Sequence, residues 1–229
     1  MLYLGNNEMG CDAGSLGFPS IDSCEAIVYQ TSVCLYGMHE MPSGKAGAFP
    51  GKAAAFAQWV QGQAMNHGGL GIALYGVINQ EKRWFNSQNT DWSNELISVA
   101  TALGWAGAIW RGRVASHVAR RDSVYVRFDV VHAVGGNSVT VRFKRWSKME
   151  LDATDPKPLN PVFQRDQLTS AQKSTFGEAQ LQAWMDNPTF QVVQPNPSPN
   201  TPGVYSVRRK TQQTGQEGNL NALALQQIR

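Results

Sequence analysis

The chain has 229 residues, 42% of them hydrophobic and 10% aromatic, with a net charge of +3. This composition supports a packed core and excludes global disorder, and no run of eighteen apolar residues is present to cross a membrane as a helix. Three cysteines without paired spacing argue against a disulfide framework, and the first eight residues lack the basic and apolar regions of a signal peptide. Synthesis in the cytoplasm is therefore expected, with any export left to a specialised secretion machine.

Residues 1–50 are glycine-rich and hairpin-like, with loops predicted at 14–20 and 42–51. Residues 52–65 read as a helix whose apolar face carries Ala54, Ala55, Phe56, Trp59, Val60 and Ala64, closed by His67-Gly68-Gly69. The continuous apolar run 71–78 predicts a strand buried on both faces. A second helix is expected over 92–103, with Asp91 or Ser93 as N-cap and Gly104 as its stop. Residues 123–131 and 138–146 form the clearest hairpin, turning at Gly135-Gly136-Asn137.

Together these predict an α+β fold, a compact mixed or antiparallel β-sandwich-like core flanked by two helices, with a C-terminal extension. The expected units are a domain over 1–150, a helical extension over 151–194 with a helix at 169–186, and a Pro/Gln/Asn-rich linker and tail over 195–229. The tail reads as disordered or as a partner-binding segment.

The residues that carry chemistry lie between 22 and 39. Ile27-Val28-Tyr29 and Val33-Cys34-Leu35-Tyr36 are β-prone runs about Thr31-Ser32. A hairpin centred there pairs residues whose numbers sum to 63, placing Cys24 directly opposite His39 at a Cβ separation of roughly 4.5–5.5 Å. An imidazole at that distance can activate a thiol nucleophile. Cys34 reads as core packing. Cys11, flanked by glycine, is the rival nucleophile, and His67 or His117 are alternative bases more distant along the chain, whereas His132 reads as a surface residue. Three Cys and four His lack zinc-ligand spacing, so no metal is expected, and the dyad calls for no cofactor.

Ser23-Cys24-x-Ala26-Ile27-Val28, then Tyr36-Gly37-Met38-His39 and Met41-Pro42-Ser43-Gly44, resembles the signature of the chemoreceptor glutamine deamidase family CheD, whose Cys–His pair also occurs in the cytotoxic necrotizing factor toxins. The resemblance spans about the first two-thirds of the chain. It implies a cysteine-dependent hydrolase that converts a protein glutamine to glutamate through a thioester, with Cys24 as nucleophile and His39 as base. No threonine precedes Cys24 where the family has one. Ser20 is therefore taken as the third catalytic group, with Asp22 or a carbonyl of residues 16–21 as alternatives. The backbone N–H of Cys24 and the 20–23 segment supply candidate oxyanion donors, and Ser23 would assist in binding substrate.

Asp22 in place of the family's glycine, together with the long tail, points to a toxin or delivered effector rather than a chemotaxis protein. The implied partners are a protein substrate with a reactive glutamine and a chaperone or neutralising protein bound through 151–229. Between residues 111 and 148 nine cations face only Asp122 and Asp129, a local excess of seven. That patch, with Arg142, Lys144 and Arg145 as substrate-binding residues, suits an acidic protein surface, and no nucleic-acid motif accompanies it.

Overall fold

A computed structural model describes residues 2–4, 8–21, 24–40, 48–67, 69–79, 92–114, 123–134, 136–146, 191–193 and 220–229. The expected helix at 169–186 and the linker at 195–202 lie outside these residues. In chain order the elements are β1 (Leu2–Tyr3), β2 (Glu8–Asp12), β3 (Ser15–Ile21), β4 (Glu25–Thr31), β5 (Leu35–Glu40), α1 (Ala48–His67) and β6 (Gly71–Ile78). They are followed by α2 (Ser93–Leu103), β7 (Ile109–Arg113), β8 (Ser123–Ala133), β9 (Gly136–Trp146), β10 (Gln191–Val193), β11 (Asn221–Ala222) and β12 (Gln226–Gln227).

The strands form a five-stranded sheet in the order β1-β3-β8-β9-β11 and a seven-stranded sheet in the order β10-β2-β5-β4-β6-β7-β12. The fold is α+β with a β-rich core, as expected. Period-two alternation explains its layering. Ala26, Val28, Tyr75 and Val77 point from the larger sheet toward Leu16, Phe18, Val126 and Phe128 of the smaller one. Ile27, Met38, Leu74 and Ile78 point the other way, onto Phe56 and Val60 of α1 and Leu96 and Val99 of α2. β6 thus feeds both cores, as its unbroken apolar run predicts, and runs parallel to β7 through the α2 crossover.

Several boundaries differ from the sequence reading. Residues 15–20 are strand rather than loop; Pro19 and Ser20 sit where the β3–β8 register slips between Phe18 and Ile21, a bulge that tolerates a residue without an N–H. α1 starts at Ala48, since Pro50 lies in the first turn, where its missing donor costs nothing. The N-cap of α2 is Trp92, already in αR geometry, and Ser93 is helical. Gly104 stops α2 as expected, at φ 66°, a left-handed conformation favouring glycine. The β8–β9 strands run two residues further than expected at the turn, because Ala133 pairs with Gly136 and Asn137 already faces His132 in the ladder.

The largest difference concerns residues 220–229, which do not behave as a free tail. β11 pairs with β9 in the smaller sheet and β12 with β7 in the larger one. Between them Leu223 is buried in the inter-sheet core, and its N–H donates to the Val141 carbonyl at 2.9 Å. Gly112 has no Cβ to obstruct this: one built there would lie 2.7 Å from Leu225 and 2.8 Å from Leu223. The Arg229 guanidinium donates to the carbonyls of Trp105 and Gly107. The polar composition of the segment hides the apolar residues that anchor it, Leu223 and Leu225 between the sheets and Ile228 against the helix-side core. Leu223→Ala is expected to cost about 2–4 kcal/mol in urea unfolding, and a chain ending at residue 219 should lose more, because both sheets then also lose a paired edge.

Candidate active site

β4 and β5 form a hairpin, but not in the expected register. Ala26 faces His39 and Glu25 faces Glu40, so paired numbers sum to 65, two more than predicted. The turn explains the shift. Thr31 closes it with its own backbone N–H, 2.9 Å from the Cys34 carbonyl, while its hydroxyl accepts the Cys34 N–H at 3.1 Å. The loop is therefore Ser32-Val33 rather than a turn centred on Thr31-Ser32. A two-residue slip preserves parity. Cys24 and His39 remain on the same face, the one toward the smaller sheet, as diagonal rather than direct neighbours. A diagonal pair of this kind stands roughly 7–8 Å apart at Cα, and the Cys24 thiol is not hydrogen-bonded to the His39 ring.

His39 is fully buried and Cys24 is 3% exposed. The His39 Nδ1 lies 2.8 Å from the Leu4 carbonyl oxygen. A carbonyl only accepts, so Nδ1 carries the hydrogen and Nε2 presents a lone pair. Nε2 has no hydrogen-bond partner among the described residues. The ring also lies edge-on to Phe18, with centroids 6.1 Å apart. Burial pushes the His39 pKa down to about 4, against the opposing effects of the Leu4 carbonyl and Glu40, so the ring is neutral near pH 7.

Gly37 makes this arrangement possible. A Cβ at that position would stand 2.7 Å from a Leu16 methyl, 2.9 Å from a Leu4 methyl and 2.9 Å from the Phe18 ring. The glycine two residues before His39 thus lets Leu4 approach closely enough to orient the imidazole. The orienting group is the Leu4 carbonyl, which the sequence reading did not consider. Ser20 has its backbone in the β3 bulge, but its side chain lies outside the described residues, as do Asp22 and Ser23 entirely.

Among the described residues, Arg111, Arg127 and Arg142 of the predicted basic surface are engaged within the chain. Arg127 and Arg142 both bind Asp129, each with a contact of 2.6 Å, and Ser15 donates to the same carboxylate at 2.8 Å. Burial raises the Asp129 carboxyl, but hydrogen bonds from Arg142, Ser15 and Arg127 outweigh it and hold the group below its usual range. Lys144 pairs with Tyr125 across the hairpin and Arg145 with Val124. The side chain of Arg145 lies outside the described residues, as do Arg120, Arg121 and Lys148. Arg111 reaches Ser93 and Gln226 and stacks 5.8 Å from the Trp92 ring.

On the opposite face of the same strand pair lies a cluster that sequence spacing did not disclose. Glu25, Glu40 and Glu95 bring carboxylate oxygens within 4.8 Å of one another. Lys52 Nζ sits 3.1 Å from Glu40 Oε1, with side chains 0% and 1% exposed. Oxygen donors of this kind suit a hard cation, and here the Lys52 ammonium already supplies positive charge at Glu40. The members come from β4, β5, α1 and α2, so only the alternation that points Glu25 and Glu40 toward the helices could have hinted at them.

Two outcomes follow. The histidine has a depressed folded pKa, so the unfolded chain binds its proton first; stability is full above about pH 6.5 and falls as pH drops toward 4. The loss should reach about 3 kcal/mol in wild-type urea unfolding across that window, and His39→Gln should remove this component. Lys52→Met should cost about 3–5 kcal/mol by stranding buried Glu40, and adding Glu40→Leu should recover part of it.

No protein-family model matches the chain, and no curated protein matches its sequence.

Proposed function

We propose that the chain is a cysteine-dependent protein glutamine deamidase, with Cys24 as nucleophile and His39 as general base. The observation that carries this reading is the buried His39 ring, held at Nδ1 by the Leu4 carbonyl with Nε2 uncommitted, on the same sheet face as Cys24. The likeness of the 23–44 segment to the CheD signature supports the same assignment, with a backbone carbonyl in the place of a third catalytic side chain.

Because His39 is neutral near pH 7, the resting pair is a thiol and an imidazole rather than a thiolate and an imidazolium. Nε2 takes the Cys24 proton as sulfur attacks the glutamine carboxamide carbon. The Nδ1–H bond to Leu4 steadies the imidazolium that forms. That imidazolium then protonates the departing ammonia, leaving a thioester on Cys24. Water, deprotonated by Nε2, attacks the thioester; glutamate leaves and the proton returns to sulfur. Burial has two consequences: it excludes bulk water from the thioester, and it requires the cover over Cys24 to open for the substrate side chain. A bacterial effector acting on a host or competitor protein is the setting that best suits the chain's departures from the chemoreceptor enzymes. The intramolecular pairing of Arg127 and Arg142 with Asp129 withdraws two of the cations that residues 111–148 would otherwise offer an acidic substrate surface.

The test is incubation of the purified protein with cell lysates in ¹⁸O-water, with peptides searched for Gln-to-Glu conversion carrying the label. Wild type should produce discrete labelled sites. Cys24→Ala should abolish them, and His39→Gln, checked for folding at pH 7.5, should slow them by about 10²–10⁴-fold. Conversion that survives Cys24→Ala would sink the assignment.

A further inference from the structure

The remaining two cysteines stand together on the far side of the larger sheet from Cys24. β2 runs antiparallel to β5, with Cys11 opposite Tyr36 and Asp12 opposite Leu35. Cys34 precedes Tyr36 by two positions, so it shares the face of Tyr36 and Cys11 and is the diagonal neighbour of Cys11. Both thiols are free, half-buried and packed at the edge of the core beneath the helices. The two thiols are close enough to perturb each other's acidity, and the Cys34 Sγ donates to the Leu35 carbonyl oxygen at 3.6 Å.

We propose that Cys11 and Cys34 form an oxidisable dithiol, which peroxide converts to an intramolecular disulfide pinning β2 to the β4–β5 turn. This inference stands apart from the deamidase reading, since neither cysteine belongs to the Cys24–His39 pair. Their proximity also assigns the roles. Cys34 pulls the Cys11 thiol down, against burial and the Asp12 carboxylate, which push it up. Cys11, together with burial, pushes Cys34 up. Cys11 is therefore the thiolate that attacks.

Its sulfur displaces water from hydrogen peroxide, giving the Cys11 sulfenic acid; the Cys34 sulfur then attacks that sulfur and expels a second water. Two thiols lose two electrons and two protons, and one peroxide becomes two waters. A disulfide requires the sulfurs to close to about 2.05 Å and the Cα atoms to lie within about 6.8 Å, slightly tighter than an ideal diagonal pair. Thr31 holds the Cys34 N–H and carbonyl, so the movement falls to the side chains and to the Cys11 end of β2, which runs into the exposed Ala13-Gly14 turn.

The experiment is treatment of the full chain with hydrogen peroxide, followed by non-reducing peptide mass spectrometry. The expected product is a Cys11–Cys34 peptide lighter by two hydrogens, with iodoacetamide labelling of both residues reduced at least about tenfold and restored by dithiothreitol. In Cys34→Ala, oxidation should stop at a Cys11 sulfenic acid captured by dimedone, and Cys11→Ala should leave Cys34 reduced. A link to Cys24, a link between two chains, or both thiols surviving a dose that oxidises the seven methionines would each overturn the proposal.

Discussion

The β4–β5 strand pair is covered on both faces, and the rest of the structure depends on how its polar residues are accommodated there. One face meets the smaller sheet, the other the helices, so neither offers water to Cys24, Glu25, His39 or Glu40. Each polar group must find its compensation from neighbouring protein atoms, since an unpaired buried charge is costly. His39 responds by staying neutral and spending its one donor on Leu4. Glu40 is matched by Lys52, brought in by α1. The same desolvation that would tune a base therefore places an ion pair on the opposite side of a single backbone layer.

Between the two sheets a hydrogen-bonded chain pairs other buried polar groups. The Tyr75 hydroxyl donates to Gln30 Oε1 at 2.9 Å, and Gln30 Nε2 donates to the Asn137 carbonyl at 3.2 Å, tying β6 and β4 to the β8–β9 hairpin. Gly37 and Gly76 sit on adjacent parts of the larger sheet and admit opposite layers. A Cβ at Gly76 would stand 2.5 Å from Leu96 and 2.8 Å from Glu25 Oε1, just as one at Gly37 would meet Leu4, Leu16 and Phe18. The sandwich closes on one side and the helices on the other because these two positions lack side chains.

What the sequence disclosed follows from the range of the forces involved. β6, the stop of α2 at Gly104 and the β8–β9 hairpin are set by local periodicity and turn chemistry, and they were legible. The parity of Cys24 and His39 was legible too, because a period of two survives an error of two. Their register was not, since it depends on the Thr31 hydroxyl, which closes the turn from outside the loop. β1 escaped notice because two residues carry no periodicity, and with it went the Leu4 carbonyl that orients His39. The carboxylate cluster and the Cys11–Cys34 contact are products of strand order, which no local pattern encodes.

The strap formed by residues 220–229 also bears on how the fold is reached. β11 joins a strand about seventy-eight positions earlier in the chain and β12 one about one hundred and fifteen earlier. During synthesis, the strands through β9 emerge while β7 and β9 still lack these partners, each presenting a bare row of backbone donors and acceptors. Such edges invite pairing with another chain. The interval between the appearance of Trp146 and that of Asn221 is thus the period in which the nascent protein is most exposed to misassociation, and Leu223 entering the core ends it.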